Sequence, residues 1–191
     1  ANLQKEIGRY GAQIICLQEI EPEHLEAFTG CVRTFKNDDR DIKRGASFAF
    51  APCGEPRTDG VAVLVDAGRF TIVHQNELTL DGDEGKKNAG LVVTLADKEA
   101  SGSLIVACAH LLFNPKRGDA RLRQCVAFLR AVEEAKQQAL KPVRVVVCGD
   151  FNSYPDSAVY SFLSTGSVAS IALEERTAHD HCKEHPSKIE K

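Results

Sequence analysis

The chain has 191 residues, of which 43% are hydrophobic, and a formal net charge of −3 at pH 7. This length and composition suffice for one buried core, so we expect a single globular domain. The charge argues against a protein that coats nucleic acid nonspecifically, because such binding needs many Lys and Arg side chains to neutralise phosphates. It leaves open a phosphate-bearing ligand that is held locally by a metal and a few basic groups.

The cysteines and the absence of long apolar runs indicate where the protein works. No apolar run approaches the ~20 residues that span a bilayer, and the first residues lack the apolar core of a signal peptide. The seven cysteines show no C-x-x-C spacing, and Cys16, Cys108 and Cys148 lie inside apolar runs. Reduced, buried thiols of this kind are typical of intracellular proteins. We expect a cytoplasmic protein without a membrane partner, while the nucleus and the mitochondrion stay open.

The hydrophobic pattern alternates helices with strands from the start of the chain. Apolar residues at helical spacing between 3 and 10, followed by Gly11, predict a first helix. The run QIICLQE at 13–19 has the length of a strand, and 22–28 is typical of the first turns of a second helix. Residues 37–58 are rich in charge, Pro and Gly, which predicts a long surface loop.

Two further helices and five further strands are predicted after this loop, and the last of these strands begins at Val143. The long helix covers 118–139, with Asp119 as its N-cap and with Arg, Glu and Gln on its polar face. Its predicted apolar stripe consists of Leu122, Cys125, Val126, Leu129 and Val132. A short helix that begins with a proline is predicted at 155–163. The other strands are GVAVLVD at 60–66, RFTIVHQ at 69–75, AGLVVTLAD at 89–97 and SLIVACAH at 103–110, with a hairpin turn at 81–85.

The stretch from Val143 to Ser153 is the most informative part of the sequence. An apolar run predicts a buried strand, and Gly149, Asp150 and Asn152 follow it directly. In open α/β folds, ligands bind beyond the carboxyl ends of strands. Gly149 lets the backbone turn, Asp150 offers an ionised acceptor, and Asn152 faces the same side two positions later. The alternative is an Asx turn in which both side chains only satisfy loop amides.

Two other predicted strands also end in polar groups, namely Glu19 and His110. Taken singly, a strand-end Glu is usually a solvated charge and a strand-end His is usually a surface residue. Together with Asp150 and Asn152, however, they provide an oxygen ligand for Mg²⁺, groups that orient a water molecule, and an imidazole that meets phosphate charge.

Four motifs carry a resemblance to a known family. They are LQE at 17–19, RTDG at 57–60, AHLLFNPKRGDARLRQ at 109–124 and CGDFNSYPDSAVYSFL at 148–163. In order and spacing they resemble the endonuclease/exonuclease/phosphatase superfamily, in the branch of the carbon-catabolite-repressor deadenylases, nocturnin and, most similar, the Angel proteins. The resemblance covers about residues 14–163.

The resemblance implies a role for each strand-end residue. Glu19 would be the Mg²⁺ ligand, with Mn²⁺ as a possible substitute. Asp150 would position and activate the attacking water, and Asn152 would orient Asp150. His110 would donate to the non-bridging phosphate oxygens.

Five more residues fall in the matching motifs or beside them as candidates for substrate binding. Asp59, Asn88 and Asn114 match motif positions whose roles are less defined. Lys116 and Arg117 precede the long helix and could steer an RNA phosphate. The alternative for these two cations is an ordinary solvated helix entrance.

The sequence departs from the family pattern at both ends. Nothing before Gln13 matches the first strand of the family, whose Asn supports the metal site. We interpret residues 1–166 as the central part of the domain and 167–191 as a poorly defined tail. Asp180 and His181, in the run HDHCKEH, resemble the second catalytic histidine motif, but they follow Asn152 too closely for the strands that the fold requires. A metal site in that run is conceivable, yet its spacing matches no known pattern.

The sequence therefore predicts a four-layer α/β sandwich, with two face-to-face mixed sheets between outer helices, present as an incomplete domain. The implied activity is Mg²⁺-dependent phosphodiester hydrolysis on RNA by a 3′-exonuclease or deadenylase. One alternative is a phosphatase for a small phosphorylated metabolite or for an RNA 2′,3′-cyclic phosphate end. The other is a non-catalytic RNA-binding or scaffold module. Because family motifs are absent at both ends, we expect residues 1–191 alone to be inactive.

Overall fold

Two β-sheets face each other, and helices cover the outer face of each sheet. The computed structural model describes residues 2–33, 45–82, 85 and 87–167. This arrangement is the predicted four-layer α/β sandwich. In chain order the elements are α1 (Asn2–Arg9), β1 (Ile14–Ile20), a 3₁₀ turn (Pro22–His24), α2 (Leu25–Thr29), β2 (Ala46–Pro52), β3 (Gly60–Asp66), β4 (Phe70–Asp81), β5 (Lys87–Asp97), β6 (Ser103–His110), α3 (Gly118–Gln138), β7 (Val143–Asp150) and α4 (Ala158–Thr165).

The first sheet has three antiparallel strands in the order β1-β3-β2. Its central strand β3 is buried along its whole length because both of its faces are covered. Val61, Val63 and Val65 point toward the other sheet, whereas Ala62 and Leu64 pack with the cluster under α1 and α2. A period of two in an all-apolar run thus serves two cores at once.

The second sheet has four strands in the order β4-β5-β6-β7. The pairs β4–β5 and β5–β6 are antiparallel, and β6–β7 is parallel. The predicted hairpin turn at 81–85 falls between β4 and β5, and their antiparallel pairing agrees with it. Parallel neighbours need a long crossover connection, which α3 provides here. Phe128 and Leu122 of α3 pack on the outer face of this sheet together with Val159 of α4. As a result β6 and β7 end at the same edge, with His110 and Asp150 as register partners.

The prediction of a continuous loop over 37–58 is wrong for Ala46–Pro52, which form β2; residues 34–44 lie outside the described residues. The strand ASFAFAP places Ala49 and Ala51 in the space between the sheets, where small side chains fit beside β3. Because Pro52 and polar residues flank this alternation, the composition of the segment predicts a loop and not a strand.

The prediction that the strand before Asp150 is buried is also wrong. Val145, Val146 and Val147 are 37%, 50% and 37% exposed. The reason is position, since β7 is the last strand of its sheet and pairs only with β6 among the described strands. An apolar run reports that a strand forms, but its burial depends on neighbours from elsewhere in the chain.

Helix α3 forms as predicted, but two details differ. Arg117, not Asp119, is the N-cap residue, and the buried Asp119 carboxylate binds the guanidinium groups of Arg117 and Arg123. Arg121 and Gln124 are buried instead of lying on a solvated polar face. Both side chains bond to backbone carbonyls, which satisfies their polar groups inside the protein.

Helix α4 begins at Ala158, three residues after the proline that was predicted to start it. Its N-cap is Ser157, whose hydroxyl accepts a hydrogen bond from the amide of Tyr160. The predicted tail and its HDHCKEH run fall on 168–191, outside the described residues. No helix in the described ranges is long and apolar enough to cross a membrane.

Candidate active site

The strand-end residues come together at one edge of the sandwich. His110 on β6 and Asp150 on β7 are neighbours in register, so their side chains leave the same face of the sheet. The Nε2 atom of His110 lies 3.8 Å from Oε1 of Glu19, which comes from β1 of the opposite sheet. The Nδ1 atom of His110 is buried and has no hydrogen-bond partner among the described residues. Nε2 is therefore the nitrogen that can meet a ligand beside Glu19.

A β-bulge turns Glu19 toward His110. The register between β1 and β3 shifts between Leu17 and Ile20, and both of these residues pack with the outer cluster under α1 and α2. The extra residue lets Gln18 and Glu19 both lie on the inter-sheet side, and Glu19 adopts a φ of 54°. A positive φ costs a non-glycine residue about 1–2 kcal/mol, so the surrounding structure must hold the backbone of Glu19 in this conformation.

The turn after β7 fixes Asp150 and Asn152. The backbone N–H of Asn152 donates to Oδ1 of Asp150 at 2.8 Å. This bond forms an Asx turn, which was the alternative to a catalytic role for these two residues. The Asn152 side chain also donates from Nδ2 to the Leu111 carbonyl at 2.9 Å, which ties the turn to the residue after His110. Asn152 has a φ of 47°, and Glu19 and Asn152 are the only non-glycine residues with positive φ in the described part of the chain.

A groove of about 370 Å³ opens beside Glu19, lined by Glu19, Ile20, Glu21, His24, Arg57 and Asp59. Arg57 donates from Nε to Oδ1 of Asp59 at 2.8 Å and makes a second bond to the other carboxylate oxygen. The Arg57 guanidinium, through its hydrogen bonds and its charge, lowers the pKa of the Asp59 carboxyl. The groove is therefore acidic, with one arginine already paired inside it.

The other candidate residues lie apart from this group. Asn88 is buried and faces α3, where its Oδ1 accepts a hydrogen bond from Gln124 at 3.3 Å. Asn114 holds its own loop through a bond from the Lys116 amide to its Oδ1 at 3.0 Å. Lys116 is exposed, whereas the Arg117 guanidinium binds Asp119 through two bonds of 2.8 and 3.0 Å. The Arg117 pair gives no support to a role for that guanidinium in steering phosphate.

Sequence reasoning missed three residues that shape the site. Arg57 was passed over in favour of Asp59, although the spacing R-x-D allows both side chains to meet on one side of an extended segment. Arg121 and Gln124 anchor the segment after His110, since they bond to the Leu112 carbonyl and the Leu112 amide. The sequence did contain a signal for Arg121 and Gln124, because the motif that begins at His110 extends into the helix as far as Gln124.

The donor set fits a hydrated Mg²⁺ ion. Mg²⁺ usually keeps several waters and takes only one or two protein carboxylates. The Glu19 side chain is 71% exposed at the mouth of an acidic groove and offers such an oxygen ligand. In the described part of the chain, only a trio of cysteines brings three metal-binding side-chain atoms within 4.8 Å of one another. Glu19, His110 and Asp150 thus line a shared edge and do not form a closed cage.

Nearly the whole chain matches one family model. The model for the endonuclease/exonuclease/phosphatase family matches residues 1–186. The chain belongs to this family. The human protein angel homolog 2 is 30% identical over 175 residues, covering 87% of this chain and 31% of that protein. The Candida albicans CCR4-Not complex 3′-5′-exoribonuclease subunit Ccr4 is 27% identical over 219 residues, covering 98% of this chain and 28% of that protein.

Solved structures of family members share the fold. The crystal structure of ANGEL2, a 2′,3′-cyclic phosphatase, aligns with a TM-score of 0.75 and 26% identity, covering 100% of this chain and 53% of that one. The human nocturnin catalytic domain with bound sulfate aligns with a TM-score of 0.69 and 22% identity, covering 97% of this chain and 69% of that one. The chain thus spans about half of the solved ANGEL2 chain and about a third of the curated angel homolog 2.

Proposed function

We propose that the protein is a Mg²⁺-dependent phosphodiester hydrolase that acts on RNA, as a 3′-exonuclease of the deadenylase type. One observation carries this proposal. Glu19, His110 and Asp150, from three strands in two sheets, meet at one edge beside an acidic groove. Family membership gives the reaction class, because the matching family comprises nucleases and phosphatases.

The side chains divide the work of hydrolysis. Asp150 accepts a proton from the attacking water, and its bond from the backbone amide of Asn152 fixes the direction in which the carboxylate points. As the water oxygen bonds to phosphorus, the bond from phosphorus to the leaving ribose oxygen breaks, and that oxygen takes up a proton from solvent. His110 donates from Nε2 to a non-bridging phosphate oxygen and so stabilises the charge that develops there. Glu19 would hold the Mg²⁺ ion, for which Mn²⁺ can substitute, and the bound ion would supply positive charge to the transition state.

The acidic groove explains why a metal is needed. Glu19, Glu21 and Asp59 face the space where a phosphate would bind, and Arg57 is already paired with Asp59. Without added positive charge, these carboxylates repel a phosphodiester. A divalent cation at Glu19 would offset the excess negative charge of these side chains, so that the groove would no longer repel the phosphodiester.

The second candidate substrate is an RNA end that carries a 2′,3′-cyclic phosphate. It is favoured by the likeness to ANGEL2, a 2′,3′-cyclic phosphatase, at 26% identity. Both candidate reactions break a phosphorus–oxygen bond in a phosphodiester, so the same four residues serve either one. A small phosphorylated metabolite and a non-catalytic RNA-binding role are the remaining alternatives.

Residues 1–191 alone are expected to show little or no activity. Among the described residues no strand pairs with the outer side of β7, and three of its valines, close to Asp150, are exposed there. Catalytic residues that act as a unit lose nearly all rate when one member is absent. The chain spans 53% of the solved ANGEL2 chain, so it matches only part of the machinery of that relative.

The test is an assay of the protein at its full natural length, with residues 1–191 alone beside it. Two labelled oligoadenylates are compared with Mg²⁺, one with a free 3′-hydroxyl and one with a 2′,3′-cyclic phosphate. We expect shortening of the first, and we expect Asp150→Asn to abolish it while the far-ultraviolet circular dichroism spectrum stays unchanged.

Each other outcome selects an alternative. Conversion of the cyclic end without shortening favours the phosphatase. Binding of both oligonucleotides without turnover favours the scaffold role. Cleavage at the parental rate by Asp150→Asn, or in the presence of a chelator, contradicts the proposed mechanism.

A further inference from the structure

Three cysteine side chains meet between the two sheets, below the edge that carries the candidate active site. The Sγ atoms of Cys16, Cys108 and Cys148 all lie within 4.8 Å of one another. Cys108 and Cys148 are register partners on β6 and β7, and Cys16 approaches them from β1 of the facing sheet. Cys108 is buried, while the other two are half-buried. Three distant stretches of sequence therefore bring thiols to one point.

The spacing of the sulfur atoms suits a single metal ion. Zinc–sulfur bonds are about 2.3 Å long, so two sulfurs on one tetrahedral zinc ion stand about 3.8 Å apart. The limit of 4.8 Å that the three Sγ atoms satisfy exceeds this value by about 1 Å, which small side-chain rotations can supply. Two of the ligands come from adjacent paired strands, so their separation is fixed by the sheet and not by a flexible loop.

A hydrogen bond to one of these sulfur atoms also supports a metal site. Gln18 donates from Nε2 to Sγ of Cys108 at 3.0 Å, a short distance for a bond to sulfur. Thiolates bound to metals are commonly held by such donors, which orient the sulfur and stabilise its charge. Gln18 occupies this position because of the same bulge that turns Glu19 toward His110.

We propose that Cys16, Cys108 and Cys148 form a binding site for a thiophilic divalent cation of the zinc class. The three thiols would lose their protons as the metal binds, and a water molecule would complete the four-coordinate shell that zinc prefers. This site is chemically distinct from the hard oxygen ligand at Glu19, which suits Mg²⁺.

The position of the trio gives the metal a structural consequence. Cys148 precedes Asp150 by two residues, Cys108 precedes His110 by two, and Cys16 precedes Glu19 by three. A metal held by these cysteines would clamp β1, β6 and β7 together directly below the three residues that they carry. The site would thus fix the distance between the two sheets at the candidate active edge.

The test uses the reduced 191-residue protein and Cd²⁺ as a spectroscopic probe for zinc. Cadmium bound to thiolates produces an ultraviolet charge-transfer band that cadmium bound to oxygen lacks. We expect the band to saturate at one Cd²⁺ per chain and to be lost in Cys108→Ala and in Cys148→Ala. Gln18→Ala should weaken the affinity by about tenfold, as is typical when a partner of a ligand is removed.

Matched controls separate this site from other thiols. Cys125→Ala removes a buried thiol in α3, and Cys182→Ala removes the thiol of the HDHCKEH run; both should keep the band. Glu19→Gln and Asp150→Asn should also keep it, so failure of the catalytic proposal and failure of this one are distinguishable. Loss of the band in Cys182→Ala alone, or no saturable band in the parent protein, would overturn the proposal.

A second measurement covers variants that fail to fold. X-ray absorption of the unaltered protein with one equivalent of Zn²⁺ should show three sulfur neighbours at about 2.3 Å. A shell made only of oxygen and nitrogen atoms, or one with a single sulfur and several imidazoles, would overturn the proposal. So would formation of a disulfide between two of these cysteines in the presence of zinc under the same reducing conditions.

Discussion

The Nε2 atom of His110 lies 3.8 Å from Oε1 of Glu19, across the space between the two sheets. This distance is too long for a hydrogen bond, so the two groups attract each other only when the imidazole is protonated. The imidazole is 6% exposed and the carboxylate 71%, so a ligand reaches the pair from the side of Glu19. Glu19 therefore lies at the solvent-exposed side of the candidate site, and His110 lies at its buried side.

Replacing Glu19 by Gln should weaken Mg²⁺ binding without abolishing catalysis. The amide keeps the shape of the side chain but loses the charge that a hard cation prefers, so the Mg²⁺ concentration for half-maximal hydrolysis should rise roughly tenfold. Raised Mg²⁺ should recover most of the rate. Glu21→Gln is the matched control in the same groove, since that carboxylate faces His24 at 3.6 Å. Equal shifts for both variants would contradict the assignment of Glu19 as the ligand.

The bulge at Glu19 predicts an unusual order of stability. Because Glu19 has a φ of 54°, Glu19→Gly should be more stable than Glu19→Ala by about 1 kcal/mol, since only glycine adopts this conformation without strain. At Glu134, on the exposed face of α3, the order should reverse, because alanine exceeds glycine in a helix by about 1 kcal/mol. Urea denaturation of the four variants provides the comparison. Alanine as the more stable residue at both positions would show that Glu19 carries no backbone strain.

Several elements of the fold could be read from the sequence because their signals are local. The all-apolar run of β3 and the long apolar stripe of α3 each identify an element from its own residues. The strand β2 was hidden because its buried residues are alanines, which score weakly in any apolar count. The exposure of β7 could not be read either, because it depends on which strands pair with β7 and not on its own composition.

The candidate site was predictable to the extent that it rests on strand ends. His110 and Asp150 were found because each follows an apolar run, and the parallel pairing places them side by side. The bulge at Glu19 depends on tertiary contacts, which no spacing in the sequence reveals. The pairing of Arg57 with Asp59 is local, and the spacing R-x-D permits it, but that spacing does not show that both side chains line the groove beside Glu19. The motif that runs from His110 to Gln124 indicates that Gln124 matters for this region, but it does not show that the Gln124 side chain is buried and bonds to the backbone of Leu80, Asp81 and Leu112.

Gly149→Ala should disrupt the site by displacing the strand that carries Asp150. Gly149 has a φ of 136°, and an added Cβ would collide with the carbonyl oxygen of Ala109, its register partner on β6. The clash would push β7 away from β6 immediately before Asp150, so we expect hydrolysis to fall by at least about 100-fold, as for a misplacement of about 1 Å. Gly8→Ala in α1 is the control, because no atom lies near its added Cβ. Parental rates in Gly149→Ala would mean that the approach of the two strands does not matter for catalysis.

The pH dependence of stability should report the Asp119 cluster. The Arg117 guanidinium, followed by Arg123, holds the pKa of the Asp119 carboxyl well below its usual range, and the carboxylate is only 4% exposed. A depressed pKa means that the stabilisation is complete above the ordinary carboxyl pKa of about 4 and is lost as the pH falls below it.

The variant Asp119→Asn isolates this contribution. It should lower the free energy of unfolding by about 2 kcal/mol at pH 7, because it leaves a partly buried arginine without its counter-charge. The difference from the parent protein should shrink as the pH is lowered below about 4. Guanidinium chloride denaturation across this pH range measures the gap, with the exposed Asp156→Asn as the control. A gap that is independent of pH would assign the effect to packing instead of charge.

Substitution of Gln124 distinguishes a residue that supports the site from one that takes part in the reaction. Its Oε1 accepts from the Leu112 amide at 2.8 Å, and its Nε2 donates to the carbonyls of Leu80 and Asp81 at 3.1 Å. Gln124→Leu has a similar size but leaves these backbone groups buried and unpaired, so the free energy of unfolding should fall by about 3 kcal/mol.

The effect of Gln124→Leu on activity should have a distinctive form. The segment after His110 would shift, so kcat should fall while the Mg²⁺ concentration for half-maximal activity stays unchanged, because Glu19 lies on the other sheet. Gln138→Leu, at the exposed end of α3, should leave both kcat and stability close to the parental values. If Gln124→Leu changed the Mg²⁺ requirement as strongly as Glu19→Gln, the two sheets would have to move as one unit, and the separate roles argued for Glu19 and His110 would not hold.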